Sequence, residues 1–311
     1  MRFAVVDLGT NTFHLLIVEV VLEQVHVLFK AHLPAKIGKA GINEGMIAPD
    51  AVERAVAILT QYRQQIEQYQ VAPQHVKTIG TSAIRNASNQ AAFCDTIFEQ
   101  TGFAIEVISG EREAELIYGG VQQALDLGQA PSLIMDIGGG SVEFIIANAE
   151  RIFWKQSFEI GGQRLIEKFM TTDPISPQAV ARMNAYFCEQ LLPLHNAVHQ
   201  YAPQTLVGSS GAFDTLIDID FMHRLGQLPP STQTGFELDL TEFQRQYQVL
   251  ISRNRAERMA VAGIIELRVE MIVVGVVLIK YVLQSFDIQQ LRCSAYALKE
   301  GILNWVLKSL P

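Results

Sequence analysis

Two pairs of short motifs recur along this chain at almost the same spacing. Residues 7–17 read DLGTNTFHLLI and residues 136–146 read DIGGGSVEFII, which aligns Asp7 with Asp136, Gly9 with Gly138 and Thr12 with Ser141 at an offset of 129. Residues 79–84 read IGTSAI and residues 207–212 read VGSSGA, which aligns Gly80 with Gly208 and Ser82 with Ser210 at an offset of 128. One such match arises easily by chance. Two, in the same order and nearly in register, argue for a duplicated domain. The length of 311 residues agrees, since a domain takes roughly 100–200 residues.

The local patterns repeat as well. An apolar run over 2–8, a turn and β-rich runs over 13–20 and 24–33 form the opening of a meander, and 132–137, 142–147 and 151–158 form a second. Further strands are predicted at 76–80, 104–108, 204–208 and 289–293, alternating with helices. Asp50 with Glu53 suggests a capping box opening a helix over 51–69. Ser176-Pro177 opens another over 177–199. The breaker segment Leu127-Gly128-Gln129-Ala130-Pro131 marks the expected boundary. The domains are then 1–126 and 127–311, with the last helix, 297–308, packing back on the first domain.

Composition removes several classes. Hydrophobic residues make up 49% and charged residues 18%, enough for packed cores and unlike a disordered chain. The net charge of −8 gives no basic signature for nucleic acid. The longest apolar run, Met271–Ile279, closes at Lys280, far short of the ~20 residues that span a bilayer. Residue 2 already begins a strand-like run, without the cleavage region of a signal peptide. The expectation is a cytoplasmic protein without membrane or nucleic-acid partners. Cys94, Cys188 and Cys293 are odd in number and far apart, giving neither a disulfide framework nor metal-ligand spacing.

The candidate chemistry lies in the repeated motifs. Each first motif has an aspartate ending a buried strand, then a turn of small and hydroxyl residues: Thr10, Asn11 and Thr12 in one, Gly138, Gly139, Gly140 and Ser141 in the other. Such turns can point successive N–H groups at an anion. Phosphate suits them, and Asp7 or Asp136 beside it would call for a divalent cation. The same turns also serve as ordinary hairpins. The second motifs enter helices whose N-termini offer free N–H groups, with Ser209 and Ser210 at one and Arg85 one turn into the other. Arg85 is placed either to fork onto phosphate oxygens or to make a surface salt bridge.

Residues 109–121, SGEREAELIYGGV, hold three glutamates within five positions. Helical spacing puts Glu113 on the face of Leu116 and Ile117, and turns Glu111 and Glu115 away. A carboxylate on the packed side would be desolvated, with a raised pKa suited to taking a proton from water. All three could instead complement the helix dipole. Glu143 shares a strand face with Ser141, and its counterpart in the first half is His14. His195 and His199 lie one turn apart without a metalloprotease glutamate, which reads as a solvated helix face. Gly208-Ser209-Ser210-Gly211 misses the serine-nucleophile elbow by one position.

Together DLGTNTFHLLI, GTSAIRNA (80–87), ISGEREAELIYGGV (108–121), MDIGGGSVEFII (135–146), GSSGAFDTL (208–216) and LKEGIL (298–303) resemble the exopolyphosphatase and guanosine pentaphosphate phosphohydrolase (Ppx/GppA) family. The chain resembles a short form without the C-terminal helical region of longer members. The resemblance implies an α/β chain of two ribonuclease-H-like domains around a central cleft, as in actin, sugar kinases and chaperone ATPases. It implies hydrolytic release of terminal phosphate from polyphosphate or pppGpp. Glu113 would be the catalytic base. Asp136 and Glu143 would hold Mg²⁺, with Glu143 also counted as catalytic. Thr10, Asn11, Thr12, Arg85, Gly138 to Ser141, Ser209 and Ser210 would bind phosphate. Three departures stand out: Arg112 where members often have glutamate, Ala212 where threonine is usual, and Val274 in place of proline. A sugar or acetate kinase, or a non-catalytic sensor of polyphosphate or (p)ppGpp, are the competing readings. A homodimer is left open.

Overall fold

The computed structural model describes residues 1–22 and 24–308. Its strands are β1 (Arg2–Leu8), β2 (Phe13–Val21), β3 (Gln24–Leu33), β4 (Val76–Gly80), β5 (Glu106–Val107), β6 (Ser132–Ile137), β7 (Val142–Ala147), β8 (Ile152–Phe158), β9 (Thr205–Ser209), β10 (Gly235–Leu238) and β11 (Gln290–Ser294). The helices are α1 (Pro49–Gln68), α2 (Ser82–Arg85), α3 (Gln90–Thr101), α4 (Gly110–Ala124), α5 (Gly162–Phe169), α6 (Pro177–Gln190), α7 (Leu192–Tyr201), α8 (Gly211–Leu225), α9 (Leu240–Ser252), α10 (Arg255–Met259), α11 (Met271–Ser285) and α12 (Leu298–Lys308). They form two compact units: Met1–Glu113 with residues from Ile302 on, and Ala114–Gly301. The change of unit falls inside α4, while residues 127–131 form the loop from α4 to β6.

Each unit carries the same sheet. In the first the order is β3-β2-β1-β4-β5, with an antiparallel meander β1-β2-β3 and β4 and β5 added in parallel. In the second the order is β8-β7-β6-β9-β11, and β10 extends the edge antiparallel. The duplicated motifs thus build duplicated ribonuclease-H-like sheets.

The halves differ in one register. Leu8 lies opposite Gly80, but Met135, not Ile137, lies opposite the equivalent Gly208. A two-residue slip keeps every side chain on its own face, and here it sets Ser209 opposite Asp136.

The cores follow the periodicity. In the first unit Ala4, Val6, Leu8, Leu15 and Ile17 pack with Leu59, Tyr62, Phe93 and Ile97, and the Tyr62 hydroxyl donates to Phe13 O at 2.7 Å. In the second, Met135, Phe144 and Ile146 pack with Met183, Phe187, Leu194 and the buried stretch of α11. That burial explains why α11 is apolar on every side. No described helix is long and apolar enough to cross a membrane.

Two local expectations fail. Asp50 does not cap α1: Pro49 takes the first turn, and Asp50 pairs with Arg54 at 2.5 Å instead. The helix expected over 177–199 breaks at Leu191, because Pro193 cannot continue the backbone hydrogen bonding, although Ser176 does cap α6 through Ala179 N.

Within the second unit α4 meets the start of α12 at two glycines. A Cβ on Gly301 would lie 1.7 Å from Leu116 O, and one on Gly120 2.1 Å from Ala297 O. Backbone cannot yield as a side chain does. Gly301→Ala should therefore cost about 1–3 kcal/mol, the usual range for overpacking, read as a lower urea midpoint; an unchanged midpoint would refute this close packing.

Candidate active site

The turn between β1 and β2 is held by its carbonyls. Thr10 O accepts from Gly38 N at 3.1 Å and Asn11 O from Lys36 N at 2.9 Å. Thr10 and Thr12 are buried and Asn11 half-buried. Among the described residues the N–H groups of Thr10 and Thr12 make no hydrogen bond.

The second turn repeats this at equivalent positions. Gly139 O accepts from Gln163 N at 2.8 Å and Gly140 O from Gly161 N at 3.1 Å, while Gly138 O takes Gly162 N at 2.9 Å. Arg164 Nε adds a bond to Gly140 O at 2.9 Å, so this arginine braces the turn. The approach is close enough to require glycine: a Cβ on Gly161 would lie 2.4 Å from Gly140 C. The N–H groups of Gly139, Gly140 and Ser141 donate to nothing among the described residues. With its carbonyls committed to the start of α5, the turn presents a concavity of N–H groups, the form that binds anions.

Beside it runs a row of polar side chains across four strands. Ser209, Asp136, Glu143 and Ser157 are successive register partners on β9, β6, β7 and β8. Asp136 and Glu143 are both buried. Ser209 Oγ donates to Asp136 Oδ2 at 2.6 Å, Ser210 Oγ reaches both Asp136 oxygens at 2.8 Å, and Ser157 Oγ donates to Glu143 Oε1 at 2.6 Å. Burial pushes the Asp136 carboxyl above its usual range; the serine hydroxyls, and then Lys299 and Arg268, oppose that. Ser210 holds φ 69° at the start of α8 and spends its hydroxyl on Asp136 rather than on capping. A non-glycine residue there stores strain of about 1–3 kcal/mol.

In the first unit Ser109 caps α4 through Arg112 N at 3.2 Å. Glu113 is buried with Leu116 and Ile117, while Glu111 is exposed and Glu115 pairs with Lys155 at 3.0 Å. Helical spacing therefore picks out the inward glutamate. Its partner is Arg85, whose Nη1 donates to Glu113 Oε2 at 2.7 Å and to Ile108 O at 3.3 Å. Two residues assigned separate roles from sequence are thus one ion pair. The helix bearing Arg85 is a single turn, so its dipole adds little.

The first unit brings together Thr10 to Thr12, and separately Arg85 with Glu113. The second gathers Gly138 to Ser141, Asp136, Glu143, Ser209 and Ser210. His195 is no solvated surface histidine: Nε2 lies 2.9 Å from the Tyr281 hydroxyl, and the ring stands edge-on to Phe286. Sequence reading missed Arg268 and Asp214. A Cβ on Gly211 would lie 1.8 Å from Arg268 Cζ, so that guanidinium covers the start of α8. Burial lowers its pKa, and Asp214, Asp136 and Asp218 oppose this. The one available signal was Gly211 itself, a glycine where the helix requires none.

A family model described as the Ppx/GppA phosphatase family matches residues 16–310. A crystal structure of an exopolyphosphatase from Cytophaga hutchinsonii is 43% identical, with 100% of this chain and 99% of that chain covered and a TM-score of 0.96. A Haemophilus influenzae protein assigned as an exopolyphosphatase is 28% identical over 303 residues, covering 97% of this chain and 90% of its own. An Aquifex aeolicus Ppx/GppA structure, 24% identical with a TM-score of 0.80 over 100% of this chain and 99% of that chain, shares the fold.

Asp218, on α8, is pushed up to about 6 by desolvation, which the nearby Arg268 opposes. A carboxyl raised in this way keeps its proton in the fold after the unfolded chain has lost it. Its stabilising contribution is complete below the ordinary value of 3.8 and is lost as pH rises through about 6. Asp218→Asn cannot ionise, so it should gain stability relative to the parent between about pH 4 and pH 6.5. Urea midpoints at the two pH values measure this, and parallel behaviour of the two proteins would refute the raised carboxyl.

Proposed function

The chain belongs to the Ppx/GppA phosphatase family, and from that premise we propose that it hydrolyses the terminal phosphoanhydride bond of inorganic polyphosphate. The observation that carries this is the second turn: a concavity of unengaged N–H groups at Gly139, Gly140 and Ser141 beside the buried pair Asp136 and Glu143. N–H groups suit phosphate oxygens; two desolvated carboxylates next to a polyanion require a cation.

Mg²⁺ fits that pair. Among the described residues no three or more histidine, cysteine, aspartate or glutamate side chains gather into a cage. Mg²⁺ rarely uses one, taking one or two carboxylates, waters and substrate phosphates. Asp136 and Glu143 would hold it, and when bound it neutralises phosphate charge. The rest falls to the chain. Glu113, ionised against Arg85, takes a proton from the attacking water. Arg85 carries positive charge to where phosphate charge builds up, and the N–H groups of the second turn orient the terminal phosphate. Water and a polyphosphate of n units give orthophosphate and a chain one unit shorter. The same reading extends to pppGpp, whose terminal phosphate is chemically equivalent.

Glu113→Gln should lower kcat on polyphosphate by about 10²–10⁴ with substrate binding retained. Glu111→Gln and Glu115→Gln should stay near the parent, because α4 turns them away. Equal losses in all three would return the cluster to a helix-dipole role. Asp136→Ala and Glu143→Ala should each lose orders of magnitude in phosphate release, as should excess chelator; full turnover in chelator would remove the metal. Running polyphosphate, pppGpp and ATP side by side sets the substrate, and transfer to an added acceptor rather than to water would point to a kinase.

A further inference from the structure

The α4 turn that carries Glu113 is gripped by an aromatic ring. Trp305, on α12, lies half-buried with two cations over its ring: the Arg112 guanidinium carbon is 4.7 Å from its ring centroid and Lys77 Nζ also 4.7 Å. All three residues belong to the first unit. Lys77 projects from β4 and is itself ion-paired with Glu106 on β5. Arg112 immediately precedes Glu113, and its N–H is the one that Ser109 caps. The indole ring therefore joins the sheet to the first turn of α4.

Cations are attracted to the negative face of an indole ring, best of all the aromatic side chains. A ring engaged by cations from two different elements resists sliding in either direction, as a single contact would not. The first turn of a helix is otherwise its most easily frayed part. Here that turn must hold a carboxylate at 2.7 Å from Arg85. Arg112, where the sequence resemblance leads one to look for glutamate, supplies the second cation; a carboxylate there would be repelled by the ring face.

We propose that Trp305, held by Arg112 and Lys77, is a positioning residue that sets the direction of the Glu113 carboxylate. The proposal rests on Glu113 being the base. It acts through Glu113, not on substrate, and so predicts a change in kcat with little in KM.

The test uses the full chain and polyphosphate. Trp305→Leu keeps the apolar bulk but removes the π face, and should lower kcat about tenfold with KM within about twofold, a loss in keeping with a small misplacement of a catalytic group. Trp305→Phe, which keeps a ring face, should recover most of the loss. Arg112→Gln, which removes no core atoms, should reproduce the loss if Trp305→Leu folds poorly, and Arg112→Lys should restore activity. The decisive arm is the Glu113→Gln background, where Trp305→Leu and Arg112→Gln should have no further effect, because residues that act through one group are not additive. The same factor in both backgrounds, or parental kcat in both Trp305→Leu and Arg112→Gln, would overturn the proposal. Parental turnover in Glu113→Gln alone would instead overturn the assignment of the base, and the two failures are separable.

Discussion

A peptide unit points its carbonyl and its N–H in opposite directions, and the form of the two repeated turns follows from which of the two the fold engages. In both turns the engaged groups are carbonyls at equivalent positions, Thr10 and Asn11 in one, Gly139 and Gly140 in the other. The partners differ: a loop at 36–38 in the first unit, the start of α5 in the second. The outcome is shared, since tying the oxygens inward leaves N–H groups facing outward. Gly161 belongs to the same device, because only a residue without a Cβ there lets the start of α5 come so near the turn. Arg164 is spent on the fold itself: its Nε donates to Gly140 O at 2.9 Å and it pairs with Glu159 at 3.0 Å.

The second constraint is electrostatic. Asp136 is buried, and burial alone would favour its protonated form. Two serine hydroxyls hold its oxygens, and one of them belongs to Ser210, whose backbone is strained. Arg268 and Lys299 add positive charge nearby without hydrogen-bonding to Asp136. This environment neither fully satisfies the carboxylate nor abandons it. Such a group would be stabilised strongly by a bound cation, which is why the proposed metal falls here rather than on any of the exposed acids.

Much of this was legible in sequence because it is local or periodic. The duplicated motifs foretold the duplicated sheets, alternation foretold the meanders, and a spacing of three to four residues was enough to separate Glu113 from its neighbours. The rest depends on what elements meet. The Arg85–Glu113 pair joins segments 28 positions apart, and the Ser210–Asp136 bond 74. Neither leaves a periodic trace. The parallel slip of β9 is equally hidden, since a shift of two residues preserves the buried pattern on which register prediction relies. Asp50 misled because an i, i+4 arginine competes for the carboxylate that a capping box would use, and the break at Leu191 lies beyond the reach of a helix read from its Ser176-Pro177 opening, which says nothing of Pro193.

The slip also bears on how a duplicated fold divides its labour. Where the second unit lines up Ser209, Asp136, Glu143 and Ser157, the first has Ile79, Asp7, His14 and His32 at the corresponding strand positions. One row offers two carboxylates with hydroxyl donors, the other a single carboxylate followed by imidazoles. A hard divalent ion prefers the first donor set over the second. The backbone pattern of the turns is kept in both units, while the side chains that would call for a metal are confined to one. The proposed base, Glu113, stands in the first unit, on α4. Had the two rows stayed alike, each unit would carry the donor set that suits a hard divalent ion; side-chain divergence on a shared backbone pattern leaves that set in one.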